Sequence, residues 1–285
     1  MMIMTDIKKH KETSELKTNI IYFTSRCNLA CTYCYEHLKD ADKNTMSRND
    51  LMTAADNTFK REPEDQQTFF ILFGGEPTTR WDDVKFFMDY ARSKKDNVQF
   101  NIISNGIKFL DNDFVRDYIN NKHYLDGKIE LDISFDGMKG NVDRVYHDGK
   151  SSSEDMLTVL SKLKLINVQY RLRYTIHKKN LDHFVEDILK IIEHFSPYRV
   201  ILGEVMEQFD EADMKVLQIS KNSLLALWNK QKLLTPICEL FCESCNGCSI
   251  QRNELSLYVD SNEIKRPLVS VGLFDDFNYK NDINN

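Results

Sequence analysis

The seven cysteines of this 285-residue chain fall into two groups. Cys27, Cys31 and Cys34 form one, Cys238, Cys242, Cys245 and Cys248 the other, and none lies between them. Structural thiols scattered through a core would not bunch in this way, whereas metal ligands gathered by local turns would. Three thiolates in one short loop can hold three irons of a [4Fe–4S] cluster, while a purely electron-carrying cluster wants four. An open metal position is what separates catalytic from structural sites. A zinc site completed by a distant histidine is the alternative for this group. The second group offers four thiolates, which suits an iron–sulfur cluster or a tetrahedral zinc, and spacing alone does not choose.

The elements that must position these thiols read as alternating strands and helices. The sequence predicts strands over 19–23, 68–73, 98–104, 128–135, 168–176 and 198–205. Helices are expected over 46–60, 81–93, 113–121, 153–165, 181–195 and 211–230, the first capped by Ser47. In 181–195 the apolar residues Leu181, Phe184, Val185, Ile188, Ile191, Ile192 and Phe195 follow a 3.6 period. Six β–α units in succession imply a parallel sheet with helices packed outside, either an open doubly wound sheet or a curved partial barrel. Such folds bind ligands at the carboxyl ends of their strands. The first cysteine group directly follows the first strand, so it sits at that end.

Two strands break the rule that a parallel strand reads as a continuous apolar run. Segment 128–135 alternates Ile129, Leu131, Ile133 and Phe135 with Glu130, Asp132 and Ser134. Segment 168–176 alternates apolar residues with Gln169, Arg171, Arg173 and Thr175. One reading is a polar cavity lined from inside a barrel. The other is a charge ladder between half-exposed strands. On the first, Glu130, Asp132, Arg171 and Arg173 are the candidates for substrate contact and catalysis. After residue 230 the alternation stops, and 254–265 reads as a short β-hairpin. The expected division is an extension over 1–18, a barrel over 19–230 and a cysteine-rich lobe over 231–285.

Composition narrows the function classes. Hydrophobic residues make up 41%, enough for a sizeable core, and the net charge is −6. That balance disfavours nucleic acid, which calls for a basic surface. No apolar run approaches the roughly 20 residues of a membrane span, and the N-terminal residues lack the apolar stretch of a secretory signal. A cytoplasmic location is expected, and an odd cysteine count there argues against a disulfide framework.

At Cys27-x3-Cys31-x2-Cys34, with Tyr33 before the last cysteine, the chain resembles the radical SAM superfamily. Further motifs fall in register. Gly74-Gly75-Glu76-Pro77 after the second strand resembles the family's GGEP, and paired glycines permit close backbone approach. Ser104-Asn105-Gly106 after the third strand and Ser134-Phe135-Asp136-Gly137 after the fourth resemble two further family motifs. Asn-Gly and Asp-Gly are also ordinary turn pairs. Residues 175–180 look like the fifth-strand segment of the peptide-modifying branch, and Asp143-Arg144 resembles a loop after the fourth strand in relatives.

The resemblance implies a [4Fe–4S] cluster on Cys27, Cys31 and Cys34 whose open iron chelates S-adenosylmethionine (SAM). Reductive cleavage then gives a 5′-deoxyadenosyl radical that abstracts hydrogen from the substrate. It places Tyr33, Gly74, Gly75, Glu76, Ser104, Asn105, Ser134 and Asp136 at the cofactor, with Glu76 accepting from the SAM ammonium. The tail resembles the SPASM or twitch auxiliary-cluster region, but Pro267 stands near where a further cysteine is expected, and no cysteine follows Cys248. At most one auxiliary cluster can be built, with zinc as its rival.

The expected fold is therefore an α/β partial (β/α)6 TIM-like barrel with a small C-terminal cysteine-rich lobe. The expected function is a radical SAM enzyme acting on a peptide or protein, by ribosomal-peptide crosslinking or epimerisation or by sulfatase-maturase-like oxidation. An electron donor such as a flavodoxin or ferredoxin is implied. The rivals are a small-molecule or nucleotide-modifying radical SAM enzyme and a non-catalytic iron–sulfur or zinc protein that senses redox state or scaffolds a partner.

Overall fold

The computed structural model describes residues 18–34, 45–138, 143–205 and 209–230, with 235, 237–238, 254–259 and 262–267. Six parallel strands stand side by side in chain order: β1 (Thr18–Tyr22), β2 (Thr68–Phe73), β3 (Val98–Ser104), β4 (Ile129–Ser134), β5 (Arg171–Ile176) and β6 (Arg199–Glu204). The helices are α1 (Arg48–Arg61), α2 (Trp81–Lys94), α3 (Asn112–Ile119), α4 (Lys122–Leu125), α5 (Ser153–Leu165), α6 (Phe184–Phe195) and α7 (Glu211–Asn229). This is the open (β/α)6 arrangement that the sequence predicts. The sheet does not close, because other strands occupy both of its edges. β7 (Ile237–Cys238) pairs with β6, and β8 (Glu254–Val259) pairs with β1. β9 (Asn262–Pro267) runs antiparallel to β8, which is the expected hairpin.

Local chemistry sets the element ends. Ser47 caps α1 through a box in which it accepts from the Asp50 N–H while the Asp50 carboxylate accepts from the Ser47 N–H. Such a cap is worth about 1 kcal/mol. The strand predicted from 168 begins only at Arg171. The reason is the end of α5: Asn167 takes a left-handed φ of 55°, with Asn167 N–H bonded to Lys164 O and Val168 N–H to Leu163 O. That is a Schellman motif, and it consumes the first residues of the apolar run. Likewise α6 starts at Phe184 rather than 181, because Asn180 folds residues 177–183 into turns, its Oδ1 accepting the His177 N–H at 2.8 Å.

The two faces of the sheet differ. Ile21, Phe70, Leu72, Phe100, Ile102, Leu131, Ile133, Leu172, Tyr174, Val200 and Leu202 face the helices in one continuous core. Each such side chain contributes roughly 1.5–3 kcal/mol by burial.

Candidate functional site

The cysteine loop follows β1 and is fastened on both sides. On one side, the Gly75 N–H donates to Thr24 O at 2.7 Å and the Glu76 N–H to Arg26 O at 2.9 Å. A Cβ on Gly74 would stand 2.5 Å from Thr24 O, and one on Gly75 2.5 Å from Ser25 O and closer still to Arg26 O. The close approach that the paired glycines permit is therefore to the chain's own cysteine loop. On the other side, the Ala30 N–H donates to Val145 O at 2.7 Å and the Thr32 N–H to Asp143 O at 2.9 Å. Residues 143–145 thus form a strap along the loop, reinforced by Thr32 Oγ1 donating to the Asp143 carboxylate at 2.7 Å.

The three thiols of this loop are half-buried. Cys27 Sγ accepts from the Leu29 N–H at 3.4 Å and from the Asn105 amide at 3.5 Å. Burial, then the Glu76 carboxylate, pushes the Cys27 thiol up to about 12. Burial also raises Cys31, against the pull of the Arg144 guanidinium. Such thiols surrender their protons to a bound metal rather than to water. Among the described residues, no group of three or more His, Cys, Asp or Glu could hold a metal ion as the loop stands. The donor set nevertheless fits an iron–sulfur cluster: three thiols, with N–H donors already aimed at sulfur, the kind of bond that tunes a cluster.

The ends of β2 and β3 meet at Glu76, whose carboxylate is fully buried. It accepts from Thr78 N at 3.0 Å, Thr78 Oγ1 at 2.6 Å, Ser104 Oγ at 2.9 Å and Asn105 N at 2.6 Å. Burial raises its carboxyl and these donors pull it down, the net shift being upward. Ser104 Oγ also accepts the Gly106 N–H, and Asn105 Oδ1 accepts the Ile107 N–H, so both also make the turn, which Gly106 completes at φ 82°. The Asn105 amide further reaches Asn28 Oδ1 at 2.6 Å.

The ends of β4 and β5 meet at Asp136, also fully buried. Its carboxylate accepts from the Tyr33 hydroxyl, from Arg144 Nε at 3.1 Å and from the Thr175 N–H at 3.2 Å. The Tyr33 ring stacks on His177 with centroids 5.5 Å apart, and the Arg144 guanidinium lies 5.9 Å from its centroid. Ser134 is half-buried, and its hydroxyl has no hydrogen-bond partner among the described residues. Asp143, Arg144 and His177 are the contributors that motif reading underrates. In the sequence Asp143-Arg144 shows only a likeness to a loop of relatives; in the structure Asp143 bonds to Thr32 and Lys179 while Arg144 serves Asp136. The exposed His147 bonds to Cys27 O at 2.9 Å.

The predicted polar strip lies on the inner face of the sheet. Asp132 is fully buried and accepts from Arg171 Nε at 2.6 Å and Arg173 Nε at 2.7 Å. Arg171 also pairs with Glu130 at 2.7 Å. Burial alone would raise the Asp132 carboxyl, but the two guanidiniums hold it below the ordinary range. The strip lies opposite the helix-facing side chains, and its charges pair across β4 and β5 as a ladder in which two carboxylates meet two guanidiniums. On the β1–β3 side the same face is mainly apolar, with Ile20, Tyr22, Phe69, Ile71 and Ile103 buried outside the helix-facing core. Cys238 lies in β7 beside Ile201, while Cys242, Cys245 and Cys248 lie outside the described residues.

A family model described as the Radical SAM superfamily matches residues 21–192. An uncharacterized protein of Methanocaldococcus jannaschii is 29% identical over 202 residues, covering 68% of this chain and 62% of that protein. A cysteine-type anaerobic sulfatase-maturating enzyme of Clostridium novyi is 28% identical over 183 residues, covering 60% of this chain and 46% of that enzyme. The chain thus spans less than two thirds of the length of these relatives. Among solved structures, native anSMEcpe with bound AdoMet shares the fold at a TM-score of 0.63 and 17% identity, covering 78% of this chain and 64% of that one.

Proposed function

This chain belongs to the radical SAM superfamily, and from that membership we propose that it modifies a peptide or protein by hydrogen abstraction at the mouth of its partial barrel. The family implies a [4Fe–4S] cluster and SAM, which when bound supply a 5′-deoxyadenosyl radical by reductive cleavage of SAM. Cys27, Cys31 and Cys34 would hold the cluster. The observation that carries this reading is the half-buried three-thiol loop, with N–H donors on Cys27 Sγ, tied to the ends of β2, β3 and β4.

The residues around it divide the work. Gly74 and Gly75 let the β2 loop seat directly on the cysteine loop. Glu76, with four protein donors on its carboxylate, fixes the shape of the β2 and β3 ends. Ser104 and Asn105 hold that turn, and the Asn105 amide donates to sulfur. Ser134, with a free hydroxyl among the described residues, is the group best placed to bond a polar atom of SAM. Tyr33 and Asp136 form the wall on the β4–β5 side.

A peptide or protein substrate is supported by the relative named as a sulfatase-maturating enzyme. On the inner sheet face the Glu130 side chain, paired with Arg171, remains 40% exposed and is the group there that can meet a polar atom of such a substrate. A second, auxiliary cluster on Cys238, Cys242, Cys245 and Cys248 and a protein electron donor such as a flavodoxin or ferredoxin complete the proposal.

The test is anaerobic reconstitution with iron and sulfide, then SAM and dithionite. 5′-Deoxyadenosine is expected, and its absence from fully loaded protein sinks the proposal. Iron near eight per chain supports the auxiliary cluster, whereas iron near four, with zinc present, makes the second site a zinc one.

A further inference from the structure

Arg144 is nearly buried, at 8% exposure, on the strap that runs along the cysteine loop. Its Nε donates to Asp136 at 3.1 Å, and a terminal nitrogen of the same guanidinium lies 3.8 Å from Cys31 Sγ. The position is set by backbone rather than by a freely moving side chain. The residues on either side, Asp143 and Val145, accept the N–H groups of Thr32 and Ala30, which flank Cys31. Asp136 is in turn fixed by the Thr175 N–H and the Tyr33 hydroxyl.

A simple counter-ion for a buried carboxylate needs only charge, since leaving that carboxylate unpaired would be costly. The guanidinium does more: its rigid fork sends one N–H to the carboxylate and another towards a sulfur, which the point charge of a lysine does not reproduce. We propose that Arg144 tunes the reduction potential of the cluster held by the loop, donating an N–H···S bond to the Cys31 thiolate and placing a fixed positive charge beside it. Hydrogen bonds to cluster sulfurs and nearby charge set cluster potentials, and a positive charge in a low-dielectric site favours the state with one more electron. The electron comes from an external reductant and no bond is made or broken at Arg144, which is a positioning residue. The proposal rests on the assignment of Cys27, Cys31 and Cys34 as cluster ligands.

The experiment is an anaerobic redox titration of the full chain without SAM, followed by electron paramagnetic resonance. To isolate the loop cluster, it is done in a background with Cys242 and Cys245 replaced by Ala. That background, R144Q and R144K are compared. R144Q is expected to bind iron as the background does but to reduce at a more negative potential. A tenfold fall in the reduced-to-oxidised ratio at fixed potential corresponds to 59 mV for one electron. R144K, which keeps the charge and loses the fork, is expected to shift in the same direction by less, with altered g-values. If R144Q fails to load, the R144K shift decides. An unchanged potential in the variants that load, or loss of iron from both, overturns the proposal and leaves Arg144 as the counter-ion of Asp136. A background without iron would instead refute the ligand assignment.

Discussion

Glu76 accepts the backbone N–H of Asn105 at 2.6 Å, while the side-chain amide of that same Asn105 reaches Cys27 Sγ at 3.5 Å. The loops after β1, β2 and β3 are therefore one hydrogen-bonded unit with a buried carboxylate at its centre. Both Glu76 oxygens accept from donors that cannot turn into acceptors: Thr78 N on one, Asn105 N on the other. In Glu76→Gln, whichever way the amide sits, its NH2 faces an N–H. A loss of about 2 kcal/mol in urea unfolding of the anaerobic apo-protein is expected. A change under about 0.5 kcal/mol would mean that these bonds are not made in solution.

Gly75 and Gly203 make a matched pair of substitutions. A Cβ on Gly75 meets the Ser25 carbonyl oxygen at 2.5 Å, whereas one on Gly203 meets nothing within 4 Å. Gly75→Ala should cost about 1–3 kcal/mol by overpacking and lower the iron taken up on reconstitution. Gly203→Ala should stay within about 0.5 kcal/mol of wild type with full iron. Equal behaviour of the two would remove close backbone packing as the reason for the glycine pair.

Sequence reading reached the strands, most helices and the motif loops because each carries a local signal. The run from Phe69 to Phe73 is continuously apolar, the alternation in β4 marks its two faces, and Ser47 announces α1. The strap at 143–145 carries no periodic signal, only the likeness of Asp143-Arg144 to a loop of relatives. Its partner Thr32 lies 111 residues away from Asp143, and short irregular pairings have no period to detect. The protein donors on Glu76 are hidden for a different reason. They come from two separate loops, so a motif identifies the carboxylate without revealing which groups of the chain bond to it.

Replacing one thiol in each cysteine group separates their roles. Cys31→Ala removes a ligand from the loop after β1 and is expected to abolish 5′-deoxyadenosine formation. Cys245→Ala should leave part of that cleavage intact while impairing formation of the modified product. Cleavage retained in Cys31→Ala would refute the ligand assignment. A Cys245→Ala protein with unchanged turnover and metal content would show that the second group carries no part of the reaction.

The inner-face pairing gives a prediction with a pH signature. Asp132 lies between Arg171 and Arg173 and is fully buried, so Asp132→Asn leaves two guanidiniums without their shared counter-charge. Breaking a buried pair in this way costs about 3–5 kcal/mol. The folded-state pKa of Asp132 is depressed below its ordinary 3.8, so the native carboxylate releases its proton more readily than the unfolded one. Its contribution is complete above the unfolded value and is lost as pH falls through the lower folded value. Urea unfolding of the apo-protein should therefore give a wide wild-type-to-variant gap at pH 7 that narrows below about pH 4. A gap that stays constant on acidification would mean that Asp132 does not lose its charge over that range, and a gap absent at pH 7 would mean that the ion-paired strip does not stabilise the barrel.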